Sequence, residues 1–175
     1  MKTNGLKELK NTMQITDKFL SSTDFNNLQT NIMGDYFPWF YNDHKVYKGD
    51  NKFQFTHRLY DEENIRSEHY YLILPLLKKL NIERLLRVKA NLVTRTSKLE
   101  VFKFHIDEET NNPALRTAIF YCNTNNGYTL FKKSKKKVKS QANRLIVFPG
   151  QLLHTGSTCT DHNARVVINF NFYPV

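Results

Sequence analysis

Arg165-Val166-Val167-Ile168-Asn169-Phe170-Asn171-Phe172 alternates with a period of two. In an extended chain successive side chains point to opposite faces, so Val166, Ile168, Phe170 and Phe172 form one apolar face, while Arg165, Asn169 and Asn171 share the other. A strand built this way sets its apolar side in a core and lines a polar cavity with the rest. Upstream, Asn143-Arg144-Leu145-Ile146-Val147-Phe148 reads as a buried strand and Pro149-Gly150 as the turn that ends it; His154 follows in a loop that contains Gly156. Further candidate strands lie at 84–95, 99–106, 116–123, 128–132 and 136–139, separated by short polar turns. Short strands at this spacing predict a mainly β fold, a double-stranded β-helix of the jelly-roll, cupin-like kind.

The first part of the chain reads differently. Thr23 is placed to cap a helix in which Phe25, Leu28 and Ile32 recur at helical spacing before Gly34. Ser67 opens a second helical segment to Leu80, which Pro75 should kink or divide. Between them, Gly34 to Arg66 is aromatic and turn-rich and would roof the mouth of the barrel. The reading is therefore one domain over residues 1–175, with a helical, substrate-facing part at 1–83 and a jelly-roll core at 84–175.

His105-Ile106-Asp107 supplies the chemistry. On a strand, residues two apart share a face, so His105 and Asp107 reach one metal while Phe102, Phe104 and Ile106 turn away into packing. Two imidazoles and a carboxylate on one face of Fe(II) leave the opposite face open for a co-substrate and O2, which few other metal sites require. The triplet alone is weak, with roughly 0.3 chance occurrences expected from this composition; His154 and Arg165 in order behind it give it weight. A guanidinium at Arg165 suits a carboxylate gripped by two parallel hydrogen bonds. Iron with a carboxylate-binding Arg suggests 2-oxoglutarate. His44, His57, His69 and His162 stand two residues before no acid and read as structural or surface groups; Trp39 reads as core.

The ordered set His105, Asp107, His154 and Arg165 resembles the 2-oxoglutarate/Fe(II)-dependent dioxygenase superfamily. Within it the chain is most similar to the prolyl-4-hydroxylase-like branch: Tyr121 lies where that branch places a 2-oxoglutarate-contacting Tyr, and Gly127-Tyr128-Thr129-Leu130-Phe131 resembles its GxTxF strand. The resemblance covers roughly residues 85–175. It departs from the branch at Asn126-Gly127-Tyr128-Thr129, where Gly-Gly-Glu-Thr is frequent, and at Asn91, where a Tyr is frequent. It implies metal ligands His105, Asp107 and His154, and co-substrate contacts from Arg165 and Tyr121; Asn91, Asn123 and Asn169 are further candidates. It also implies Fe(II) and 2-oxoglutarate as cofactors, with ascorbate allowed, and hydroxylation of a peptidyl proline or other protein side chain with release of succinate and CO2.

The net charge is +10, and six of the eight residues from Lys132 to Lys139 are Lys. Such a hairpin attracts nucleic acid or acidic protein, or serves only solubility, so a nucleic-acid-directed oxygenase stays open beside the peptide hydroxylase. No second Arg follows Arg165 as base-demethylating relatives usually have. A non-enzymatic jelly roll that binds metal or carboxylate is the third reading. Met1 to Lys10 holds no apolar leader and no run of 18 apolar residues occurs, so a cytoplasmic protein with no membrane partner is expected. Cys122 and Cys159 suggest neither a disulfide framework nor a thiolate metal site.

Overall fold

The structure, a computed structural model, describes residues 12–50, 52–108 and 110–175; Met1 to Lys10, read above for a leader, lie outside them. The elements run β1 (Gln14–Thr16), α1 (Ser22–Ile32), β2 (Phe40–Asn42), β3 (Gln54–Asp61), β4 (Asn64–Ile65), a 3-10 turn (Glu68–Ile73) continued by α2 (Leu74–Leu80), β5 (Ile82–Thr94), β6 (Arg116–Tyr121), β7 (Tyr128–Phe131), β8 (Lys137–Lys139), β9 (Arg144–Pro149), β10 (His154–Gly156) and β11 (Ala164–Pro174). A large sheet has the order β1-β9-β6-β11-β5-β3-β2, with β4 on β3, and a small sheet the order β10-β7-β8. Every pairing in both is antiparallel. This is the two-sheet jelly roll with flanking N-terminal helices that the alternation predicts.

β11 lies at the centre of the large sheet and separates two cores. Val166, Ile168, Phe170 and Phe172 pack with Leu28 and Ile32 of α1 and with Leu76 and Leu80 of α2. Each such side chain, fully buried, contributes about 1.5–3 kcal/mol, and this is what fastens the helices to the sheet's outer face. On the inner face, Val167, Ile119, Tyr121, Ile146 and Phe148 meet Phe131 and Val138 of the small sheet. Ser67 caps the 3-10 turn by accepting from the His69 amide at 3.0 Å, and Pro75 sits in the first turn of α2, so it divides the segment as expected.

The structure corrects four expectations. The cap of α1 is Ser21, whose hydroxyl accepts from the Asp24 amide at 3.1 Å; Thr23 lies inside the helix. Residues 99–106 form no regular strand: two isolated bridges, Val101 to Ser157 and His105 to His154, hold them to the small-sheet side. Phe102, Phe104 and Ile106 are accordingly only half-buried and stay outside both cores. His154 belongs to β10, too short for periodicity to reveal. Finally, the 1–83 part is not only helical, because β3 pairs with β5 along Phe55 to Asp61 and adds a long strand to the large sheet. Gln54-Phe55-Thr56-His57-Arg58-Leu59 does alternate, but its flanking aromatics hide the signal.

Candidate active site

Three side chains converge where the small sheet meets the segment 101–107. The ligand atoms of His105, Asp107 and His154 all lie within 4.8 Å of one another. His154 Nε2 is 3.6 Å and His105 Nε2 3.8 Å from the Asp107 carboxylate. Reciprocal backbone bonds of 3.0 Å between His105 and His154 set the two rings side by side, their centroids 4.9 Å apart. The bridge does the work that a regular strand was expected to do.

The hydrogen bond at Nδ1 of each ring fixes its tautomer. His154 Nδ1 lies 2.9 Å from the Leu152 carbonyl and His105 Nδ1 3.2 Å from the Lys103 carbonyl. A carbonyl only accepts, so each Nδ1 carries the proton and each Nε2 presents a lone pair, as metal-ligating histidines are held elsewhere. Nε2 of His154 is buried with no hydrogen-bond partner among the described residues. An orphaned buried acceptor beside a second lone pair and a carboxylate is the donor set of a two-His, one-carboxylate metal site, so the residues present fit Fe(II).

Asp107 is itself held. Asn171 Nδ2 reaches its Oδ2 at 3.5 Å, and Arg87 lies 3.5 Å from its Oδ1 while donating to Asn171 Oδ1 at 3.0 Å. Burial pushes the Asp107 carboxyl up, but the electrostatic pull of the groups around it, His154 and Arg87 first, outweighs this and leaves it below its ordinary value. Burial pushes His105 below the usual imidazole range, which favours the neutral, ligating form.

The other end of the cavity is built around Arg165. Its guanidinium is buried and donates to Ser140 Oγ at 2.8 Å and Thr129 Oγ1 at 3.1 Å, over the Tyr121 ring at 5.7 Å. The Tyr121 hydroxyl donates to the same Thr129 oxygen at 2.8 Å. No carboxylate among the described residues lies within 4.0 Å of Arg165. A buried guanidinium paired only with hydroxyls is stable chiefly when an anion joins it.

One cavity joins the two ends, lined by His105, Asp107 and His154, by Arg165 and Thr129, and by Asn91 and Asn169. Asn169 Oδ1 is buried without a partner among the described residues, and the Asn91 amide donates to the Lys89 carbonyl at 3.1 Å. Tyr121 reaches the cavity through Thr129 and Arg165 and is not itself among the lining residues. Asn123 stands apart: its amide spans β11, donating to the Ala164 carbonyl at 2.8 Å and accepting from the Val166 amide at 3.0 Å, so both its groups are spent on backbone. Sequence reasoning missed Arg87, Thr129 and Ser140 as supports and Lys45, Gln54 and Lys89 as lining residues. Arg87 and Lys89 were legible as the inward side of β5; Ser140, in a turn, carried no signal. The six lysines of 132–139 are exposed, and none lines the cavity.

No protein-family model and no curated protein sequence matches this chain. Solved structures do. A viral collagen prolyl hydroxylase from Paramecium Bursaria Chlorella virus-1, in complex with 2-oxoglutarate, superposes with a TM-score of 0.61 at 17% identity, over 98% of this chain and 100% of that one. A member of the 2OG-Fe(II) oxygenase family from Burkholderia pseudomallei gives 0.67 at 13%, over 92% and 84%. The fold is that of the 2-oxoglutarate and Fe(II) oxygenases. A prolyl hydroxylase of that fold from Trichoplax adhaerens, in complex with a hypoxia inducible factor oxygen degradation domain peptide fragment, gives 0.65 at 13%, over 94% and 84%. Within this oxygenase fold, the His105-Asp107-His154 cluster and Arg165 close the two ends of one cavity.

Proposed function

We propose that this chain is an Fe(II)- and 2-oxoglutarate-dependent dioxygenase, folded as one domain. In this reading it hydroxylates a substrate C–H bond with release of succinate and CO2. The observation that carries the reading is the pairing, in one cavity, of a His-Asp-His cluster whose buried His154 Nε2 has no partner among the described residues with a buried Arg165 that has no acid within 4.0 Å among them. His105, Asp107 and His154 would hold Fe(II), and the Arg165 fork, steadied by Ser140 and Thr129, would hold the C5 carboxylate of 2-oxoglutarate. Bound together, the metal and co-substrate supply the oxygen-activating chemistry. The protein's own residues do the rest. Leu152 and Lys103 carbonyls keep both imidazoles unprotonated at Nε2, and Asn171 and Arg87 aim the carboxylate. Asn91 and Asn169 face the same space and would take polar contacts of the co-substrate.

A peptidyl proline or another protein side chain is the first-choice substrate, supported by the two prolyl hydroxylases that share the fold, one of them bound to a peptide. Ascorbate as an accessory cofactor and a cytoplasmic location belong to the same proposal. The test is succinate formation from 2-oxoglutarate with a peptide panel. His105→Ala and Asp107→Ala should each abolish substrate-stimulated succinate release, and wild-type release in either variant would reject the ligand assignment.

A further inference from the structure

The cavity carries more positive charge than an iron and 2-oxoglutarate site needs. Lys45, Lys89 and Arg165 line it against the single carboxylate of Asp107. Neither lysine has an acid partner within 4.0 Å among the described residues. Lys45, from the β2–β3 hairpin, donates to Gln54 Oε1 at 3.3 Å and lies 4.1 Å over the Phe102 ring. The nearby Asp50 carboxylate is spent on the backbone amides of Lys45, Val46 and Lys52. Lys89 stands across the β5–β11 pairing from Asn169, whose buried Oδ1 also lacks a partner among the described residues. Lys45 feels both other cations: burial first, and then repulsion from Arg165 and Lys89, pushes it well down, while burial followed by Arg87 brings Lys89 to about 8 against the pull of Asp107 and Glu108.

Loading the site does not remove the imbalance. Fe(II) and the 2-oxoglutarate dianion cancel each other, so the loaded cavity keeps the same excess as the empty one: three cationic side chains against one carboxylate. A group with one carboxylate on Arg165 and the other at the metal gives neither ammonium a close acid: Asp50 acts on Lys45, and Asp107 and Glu108 on Lys89, only from beyond 4.0 Å, and a half-buried charge without a close partner is costly. The substrate is the remaining component of the reaction that can bring an acid into close contact with them.

We propose that the substrate carries a carboxylate, held by Lys89 and Lys45 beside the carbon that is oxidised. This rests on the reading under Proposed function and deepens it: among protein targets, an acidic residue is either the one modified or the immediate neighbour of the one modified. Lys45 then makes the β2–β3 hairpin a specificity element, contributed by the half of the chain outside the metal motif.

The test uses the full chain with Fe(II) and 2-oxoglutarate under anaerobic conditions, where no turnover occurs. The probes are matched acid and amide pairs: N-acetyl-aspartate amide against N-acetyl-asparagine amide, the glutamate and glutamine equivalents, and blocked aspartyl-proline against asparaginyl-proline. Binding is read from the change each causes in the visible band of the loaded enzyme. At least one acid should bind tenfold or more tightly than its amide, and the pair that does so tells whether the charge sits on the target residue or on its neighbour. In Lys89→Met and Lys45→Met the preference should fall below threefold while 2-oxoglutarate affinity stays within threefold of wild type. Acids and amides that bind alike, or no probe binding, would overturn the proposal from the wild-type protein alone, whatever the fate of the variants. Variants that instead weaken 2-oxoglutarate tenfold would assign the lysines to the co-substrate and overturn it as well. A protein with no visible band at all would sink the underlying oxygenase reading, a distinct result from a band without acid preference.

Discussion

Two glycines flank Arg165, and a methyl group added to each should have opposite consequences. At Gly127 a Cβ would stand 2.7 Å from the Thr158 carbonyl oxygen, 2.8 Å from Arg165 Cδ and 2.8 Å from Asn125 Oδ1. The Thr158 backbone is pinned by its amide bond to the Glu100 carbonyl at 2.9 Å, and Asn125 Oδ1 accepts from the Gly127 amide at 3.0 Å, so neither can retreat freely. Overpacking of this kind costs about 1–3 kcal/mol, and in a chain of this size that lowers Tm by about 2–12 °C. At Gly156 the Cβ would meet only Arg165, Nη1 at 3.2 Å and Cζ at 3.8 Å. The folded protein then loses little, and the restricted unfolded chain returns about 0.4–1 kcal/mol. The guanidinium must shift by a few tenths of an ångström, enough to spoil one arm of a two-bond grip on a carboxylate. A charge-assisted bond contributes about 1.5–3 kcal/mol, so Gly156→Ala should weaken 2-oxoglutarate by about 10- to 150-fold with Tm unchanged or slightly raised. Thermal melting by circular dichroism and an anaerobic Fe(II)/2-oxoglutarate titration read the two effects separately. A Gly156→Ala protein that binds 2-oxoglutarate within twofold of wild type would refute the placing of the C5 carboxylate at Arg165.

Arg165→Lys keeps the charge and loses the fork, so 2-oxoglutarate affinity in the same titration should fall by about 10- to 150-fold, one charge-assisted bond's worth. Asn143→Ala removes a buried amide that accepts from the Leu20 N–H at 2.8 Å and donates to the Leu20 carbonyl at 3.0 Å; leaving both groups unpaired should cost about 2–5 kcal/mol in urea unfolding. The Arg144 hydrogen bond to Asp17 holds that carboxyl below its ordinary value, against desolvation. A depressed carboxyl stabilises above its unfolded pKa and loses that contribution as pH falls through the folded one. Arg144→Ala should therefore narrow the stability gap to wild type as pH drops below about 4, with a difference under about 1 kcal/mol at neutral pH because the pair is partly exposed.

The inward and outward alternation of β11 was legible in full, because a strand with one face in a core and one in a polar cavity must segregate its residues. That His105, Asp107, His154 and Arg165 would meet in one cavity was legible for a chemical reason: few residue types suit an open iron site or a two-bond grip on a carboxylate, and they stand in order along the chain. Their supports were less so. Thr129 and Ser140 act through single hydroxyls whose role depends on the approach of the small sheet, which no local pattern encodes. Asn123 lies outside the cavity lining because an amide serves backbone and ligand equally well, and only tertiary contact separates the two. β3 was hidden by its aromatic flanks, and with it the source of Lys45. The 99–106 segment alternates like a strand but has no neighbour to pair with beyond two bridges.

The central claim is one cavity that binds Fe(II) and 2-oxoglutarate together, and it is tested most directly by anaerobic titration of the protein with 2-oxoglutarate, with and without Fe(II), watching the weak visible charge-transfer band. A saturable band is expected that requires the metal, disappears in His154→Ala and is lost or shifted to far higher concentration in Arg165→Ala. No band and no metal-dependent binding in a folded wild-type protein would contradict it and favour a jelly roll that performs no oxygenase chemistry.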